Sequence, residues 1–223
     1  LAFYVSFNNV AAGELQGAWI AEHAPQGAQI AMINGAPTDH SAQLQQVGVM
    51  NRLRTLIEHG DLKLVYELFT PNWNSQLAAS SVTQVLDTHS NNIQVICVAN
   101  DDMASAVIAV LDGRGLGGRV LVTGQDATVD GVRNVLSGSQ GMTVFKDPKE
   151  QARNAARVVG AFNRGEDVAV LANATEHTQT GAVVRAILAT PVLVTRDNVK
   201  QVVLESGLIT EAQMCAGAVS ACP

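Results

Sequence analysis

Short apolar runs alternate with longer amphipathic stretches through the first two thirds of the chain. Residues 3–7, 28–33, 62–69, 93–98, 120–122 and 142–145 are compact and mostly apolar, the pattern of buried strands. Between them, residues 11–23, 41–59, 76–88 and 129–136, and a stretch from Asn100 to Leu111, carry helical periodicity. The first of these puts Leu15, Trp19 and Ile20 on one face and is stopped by Pro25; the second closes at Gly60. Strands alternating with helices of this length predict βαβ units and a parallel sheet flanked by helices, an α/β fold.

Most of the predicted strands end in a polar cluster: Asn8-Asn9, Asn34-Gly35 leading to Asp39, Thr70-Pro71-Asn72-Trp73-Asn74, Asn100-Asp101-Asp102 and Gly124-Gln125-Asp126. The last strand delivers Lys146. Simple turns would favour Gly and Pro at such points, and here side-chain amides and carboxylates recur instead. In a parallel α/β sheet, ligands occupy the crevice outside the carboxyl ends of the strands. Asn8, Asn9, Asp39, Asn100, Asp126 and Lys146 therefore form a candidate hydrogen-bonding set, with Trp73 supplying an aromatic face. Such a set suits a polyol, whose hydroxyls both donate and accept while its C–H side packs on a ring. Asp126 with the Asp101-Asp102 pair also permits a phosphoacceptor with Mg²⁺, and Trp73 could instead anchor its loop.

After Phe145 the character shifts. Asp147-Pro148-Lys149-Glu150 is a helix start, with a capping Asp, a first-turn Pro and an acidic third position. The predicted helix reaches Phe162, residues 168–174 are apolar, 175–180 are polar, and 183–188 read as a strand. Asp197 is expected to cap a last helix through Glu205. The apolar positions Ala152, Ala155, Ala156, Val159 and Phe162 form a helix face in need of a partner.

Composition narrows the chemistry. The 223 residues are 47% hydrophobic but only 4% aromatic, so the core is built from aliphatic side chains. A net charge of −6 without a Lys/Arg cluster argues against nucleic acid and anionic membranes as partners. No apolar run approaches the ~18 residues of a membrane span. The five histidines show no metal-ligand spacing, no serine elbow occurs, and Gly113-x-Gly115-x-x-Gly118 precedes a strand rather than following one. No cofactor is implied and nothing argues for an enzyme. Cys97 sits in an apolar run as a core residue, whereas the spacing of Cys215 and Cys222 permits a short disulfide loop, which would imply export.

The segments SFNNVAAGELQG, GAPTDHSAQL, ANDDMASAVIAVL, VLVTGQDATVDGVRNVLSGSQGMTVFK and ATPVLVTRDNV together resemble the periplasmic D-xylose-binding proteins of ABC transporters, within the pentose/hexose solute-binding family. The resemblance implies a class I periplasmic binding protein fold and a non-enzymatic monosaccharide receptor serving ABC permease subunits. It implies ligand contacts at Asn8, Asn9, Trp73, Asn100, Asp126 and Lys146, and a weaker one at Asp39. The family reads Phe-Asp-Asn where this chain has Phe7-Asn8-Asn9, so one carboxylate is replaced by an amide. It further implies one complete lobe plus remnants of the other: residues 1–145 as C-terminal lobe core, 146–190 as crossover and N-terminal-lobe remnant, and 191–223 as the return and tail. Most of an N-terminal lobe would then lie outside this chain or come from a second chain. The implied location is periplasmic or extracellular, lipoprotein-anchored in a Gram-positive host. The alternative is the effector domain of a LacI-type regulator or a sugar-sensing module, which shares the two-lobed fold.

Overall fold

A computed structural model of the protein describes residues 3–177 and 181–216. The chain divides into two compact units, a larger one of Asn9–Phe145 with Val192–Pro223 and a smaller one of Leu1–Asn8 with Lys146–Pro191.

The larger unit holds strands β2 (Ala28–Asn34), β3 (Leu62–Phe69), β4 (Val95–Val98) and β5 (Leu121–Val122), in the order β3-β2-β4-β5. Every pairing among them is parallel. Alternation along the strands divides the core in two. Ala31 and Ile33 with Ile96 and Val98 face helices α3 (Ser75–Thr88) and α4 (Asp101–Gly113). Ile30 and Met32 with Val95 and Cys97 face α1 (Asn9–His23) and α2 (His40–Glu58). Both faces of the sheet are thus covered, as parallel sheets require. Helix α5 (Val129–Ser137) follows β5 and ends at Gly138 in the left-handed conformation (φ 87°), a conformation that glycine adopts without a Cβ penalty. Strand β6 (Thr143–Phe145) then pairs antiparallel with β9 (Val192–Val194).

Helices α1 and α2 cross at two glycines. A Cβ on Gly13 would collide with the Gln45 carbonyl, and one on Gly48 with the Val10 carbonyl. That close approach lets two buried amides form a relay at the sheet edge. Gln16 Nε2 donates to Val98 O (3.0 Å) and Gly124 O (2.9 Å), while Gln45 Nε2 donates to Gln16 Oε1 (2.9 Å) and Ala99 O (2.8 Å). The carbonyls beyond β4 and β5 are thereby satisfied without water.

In the smaller unit, β1 (Tyr4–Phe7) runs parallel to β8 (Val183–Ala189), which pairs antiparallel with β7 (Ala174–His177). Helix α6 (Pro148–Asn163) starts as read, with the Asp147 side chain accepting from Lys149 N–H at 2.9 Å. Its Val159 and Phe162 are 59% and 68% exposed.

Four expectations change. The strand at 3–7 does not join the sheet of residues 1–145, because Tyr4–Phe7 lies in register against Ala186–Ala189. The apolar run at 168–174 forms a single 3-10 turn, Val168–Leu171, capped by Asp167. The polar segment begins with strand β7 at Ala174–His177, its residues 178–180 lying outside the described ones. Asp197 caps no helix: Asn198 accepts from Thr195 N–H and donates to Leu193 O, closing a turn before a π-helical turn at Lys200–Leu204. A final short helix, α7, spans Glu211–Cys215, and among the described residues no helix is long and apolar enough to cross a membrane.

Candidate functional site

The carboxyl ends of β2, β3, β4 and β5 share one edge because the strands are parallel. In the larger unit this edge carries Asp39, Trp73, Asn100 and Asp126 on the loops that follow those strands. Asn9 is the buried first residue of α1. Asn8 and Lys146 belong to the smaller unit, where Asn8 N–H donates to Ala189 O (3.0 Å) and Lys146 Nζ lies 5.8 Å from the Phe7 ring centroid.

Asp39 and Trp73 meet directly. Asp39 caps α2 by accepting from Ser41 N–H (2.8 Å), and its second oxygen accepts from the Trp73 indole N–H at 3.2 Å. The indole covers Gly35, where any Cβ would overlap the ring. Asn72 and Trp73 both take positive φ (55° and 54°), which turns the chain sharply enough to lay the ring there. Trp73 thus anchors its loop at the edge that carries the candidate ligand contacts, of which it remains one. Asn100 caps α4 through Oδ1, which accepts from Met103 N–H at 3.0 Å, so Nδ2 is its remaining donor.

Asp126 is exposed at the end of β5 and takes φ 97°, followed by Ala127 at φ 48°. Two successive non-glycine residues in this region carry a strain of ~1–3 kcal/mol each. The turn is held from below. Asp126 N–H donates to Val144 O (2.8 Å) and Ala127 N–H to Thr143 Oγ1 (3.2 Å). Thr143 in turn donates to the carboxylate of Asp101, 2.8 Å from Oδ1. The same carboxylate accepts from Gln140 Nε2 (2.8 Å) and Thr128 N–H (2.9 Å). Gly124 and Gly131 admit it, since a Cβ at either would meet its oxygens.

Asp101 and Asp102 consequently do not form an ion-binding pair with Asp126. Asp101 is fully buried and its oxygens are engaged, whereas Asp102 is exposed. Burial pushes the Asp101 pKa up to about 7, against the hydrogen bonds from Gln140, Thr128 and Thr143, which pull it down. Cys97 behaves as a core residue: burial pushes its thiol up to about 12. Cys215 is disulfide-bonded, and Cys222, its expected partner, lies outside the described residues.

Sequence reasoning missed the buried trio of Asp101, Thr143 and Gln140. The available signal was a pair of glycines, Gly124 and Gly131, flanking the Asp126 turn.

A parallel sheet of this topology, covered by helices on both faces and with polar side chains at its carboxyl edge, places the chain in the doubly wound α/β class. The chain belongs to the periplasmic binding protein domain family, which it matches over residues 1–167. It is 32% identical over 211 residues to the D-xylose-binding periplasmic protein of Haemophilus influenzae, covering 95% of this chain and 62% of that protein. The D-xylose-binding periplasmic protein of Escherichia coli is 31% identical over 212 residues, with 95% and 63% covered. The chain thus spans about three fifths of the length of these relatives. Among solved structures, an ABC transporter solute binding protein from Clostridium phytofermentans with bound β-D-glucose superposes with a TM-score of 0.83 at 25% identity. That match covers 96% of this chain and 70% of the other.

Proposed function

We propose that this chain is the sugar-recognising part of a solute-binding protein that delivers an aldose, xylose or a close relative, to an ABC permease. The observation that carries the reading is the gathering of Asp39, Trp73, Asn100 and Asp126 on one sheet edge, in a chain similar to proteins named for D-xylose binding. In this reading Asp126 accepts from sugar hydroxyls, Asn100 Nδ2 donates to one, and Trp73 presents its ring to the C–H face. Asn9, at the start of α1, belongs to the same set, and in the smaller unit Asn8 and Lys146 are further proposed contacts. The larger unit corresponds to the C-terminal lobe of a two-lobed receptor and the smaller unit to part of its partner lobe, and the protein works outside the cytoplasm. Nothing in this role requires bond making or breaking, so the protein acts as a receptor and not as an enzyme.

A two-lobed receptor shares its hydrogen bonds between lobes, each worth ~1–2 kcal/mol. One lobe's worth of contacts gives an affinity several orders of magnitude below that of a full clamp, roughly millimolar. Saturation-transfer NMR and calorimetry with D-xylose, D-glucose and D-allose test this on the 223-residue chain. Weak, saturable binding abolished by Asp126→Ala is expected. Sub-micromolar binding would refute the shared-contact reading, and no saturable signal with any of the three sugars would refute the function.

A further inference from the structure

The turn that presents Asp126 is not held by its own sequence. Asp126 and Ala127 are both L residues with positive φ (97° and 48°); aspartate tolerates this half of the map better than most, but 97° lies beyond the left-handed α well and Ala127 has no such tolerance. Left alone, such a turn relaxes toward negative φ. Each backbone amide that follows is instead taken up by a named partner: Asp126 N–H by Val144 O, Ala127 N–H by Thr143 Oγ1 and Thr128 N–H by Asp101 Oδ2. Thr143 can accept from Ala127 because its own proton points at Asp101. Gln140 Nε2 occupies the remaining side of the carboxylate at 2.8 Å and is itself fixed by Met142 O at 2.9 Å. The ionised carboxylate, with two acceptor oxygens, serves all three donors at once, so the fastening is complete above the Asp101 pKa, where the test is made.

We propose that Asp101, acting with Thr143 and Gln140, is a positioning residue that holds the turn at 126–127 in its positive-φ conformation and so aims the Asp126 carboxylate at the sugar. The inference rests on the reading of Asp126 as a sugar contact. Asp101 touches no ligand; it fixes the group that does. An amide in its place sets an NH₂ against one of the three donors whichever way it is turned, and the turn loses a fastening. A merely structural role would predict lower stability with the turn unchanged.

The test uses the full chain with Asp101→Asn, Thr143→Val and Thr143→Ser. Val107→Ala, which removes buried volume elsewhere on α4, serves as the control for lost stability. Positive φ gives a strong intraresidue amide–Hα NOE, and the Ala127 and Thr128 amides are protected from exchange only while their partners hold. Asp101→Asn and Thr143→Val are expected to lose the NOE at 126 and 127 and to speed exchange at Ala127 and Thr128 about tenfold or more, whereas Thr143→Ser and Val107→Ala keep both. D-xylose affinity is expected to fall about tenfold in the first pair and to hold in the second. If the NOE and the protection persist in Asp101→Asn while its melting temperature drops, the carboxylate is a core fastener and the proposal is overturned. Should Asp101→Asn not fold, Thr143→Val against Thr143→Ser decides the matter by the same two signals. Loss of the geometry with affinity intact overturns the aiming role. Asp126→Ala binding D-xylose as tightly as the wild type overturns the sugar reading of Asp126, while the NOE and exchange data still decide what holds the turn.

Discussion

Stability should fall as pH rises through the range where Asp101 titrates, and Asp101→Asn should remove that dependence. The carboxyl's pKa is raised from 3.8 to about 7 in the folded protein, mainly by burial. Between those values the folded chain keeps a proton that the unfolded chain has released, so unfolding becomes easier with each step up in pH. The full linkage across roughly three pH units is about 4 kcal/mol, and the part falling between pH 5 and 8 is about 2–3 kcal/mol. Above the folded pKa the curve flattens. Guanidinium unfolding of wild type and Asp101→Asn across this range isolates the effect, because every other titrating group is common to both chains and cancels in the difference. The wild-type curve should lose ground to the variant as pH rises. A difference that stays flat, or that favours the wild type increasingly at high pH, would show that the hydrogen bonds from Thr128, Thr143 and Gln140 outweigh burial and that Asp101 is ionised throughout.

Gly48→Ala should destabilise the protein by about 3 kcal/mol or more, because its Cβ would press on the Val10 carbonyl, a backbone atom with no rotamer to yield. A melting temperature within about a degree of wild type would mean that α1 and α2 do not cross this closely. Asn100→Asp keeps the α4 cap but deletes the Nδ2 donor, so it should leave stability nearly unchanged and weaken D-xylose binding, whereas Asn100→Ala should also cost about 1 kcal/mol of stability. Equal sugar affinity in wild type and Asn100→Asp would remove Asn100 from the site.

The strand ends were legible because each combines an apolar run with a helix cap, and Asp39, Asn100 and Asp147 sit where that grammar puts them. The partner of a strand is written elsewhere. Residues 3–7 are equally apolar whether they join β2 or β8, and only the register with Ala186–Ala189 decides between them. Strand β7 was hidden by composition, since Thr175, Glu176 and His177 read as a polar loop until the edge of a small sheet gives them a place. Asp101 was hidden by its neighbour. Asp101 and Asp102 are alike in sequence, but the helix turns one into the core and the other into water. A residue's type was enough to nominate the groups at the sheet edge; the buried acceptor beneath them needed the fold.

Capping and the proposed recognition converge on the same side chains at that edge. Asp39, Asn74, Asn100 and Thr128 cap α2, α3, α4 and α5, so the amino ends of all four helices arrive where the parallel strands leave off. At Asp39 and Asn100 the cap engages one oxygen and leaves a second group: the other oxygen of Asp39 reaches Trp73, and the Asn100 amide retains its donor. The amino ends add partial positive charge, which favours acceptor-rich ligands and carboxylates alike. Asp126 has no helix of its own to cap, and the chain secures it by strain held from below. That difference explains why Asp126 needs a buried acceptor and the other edge residues do not.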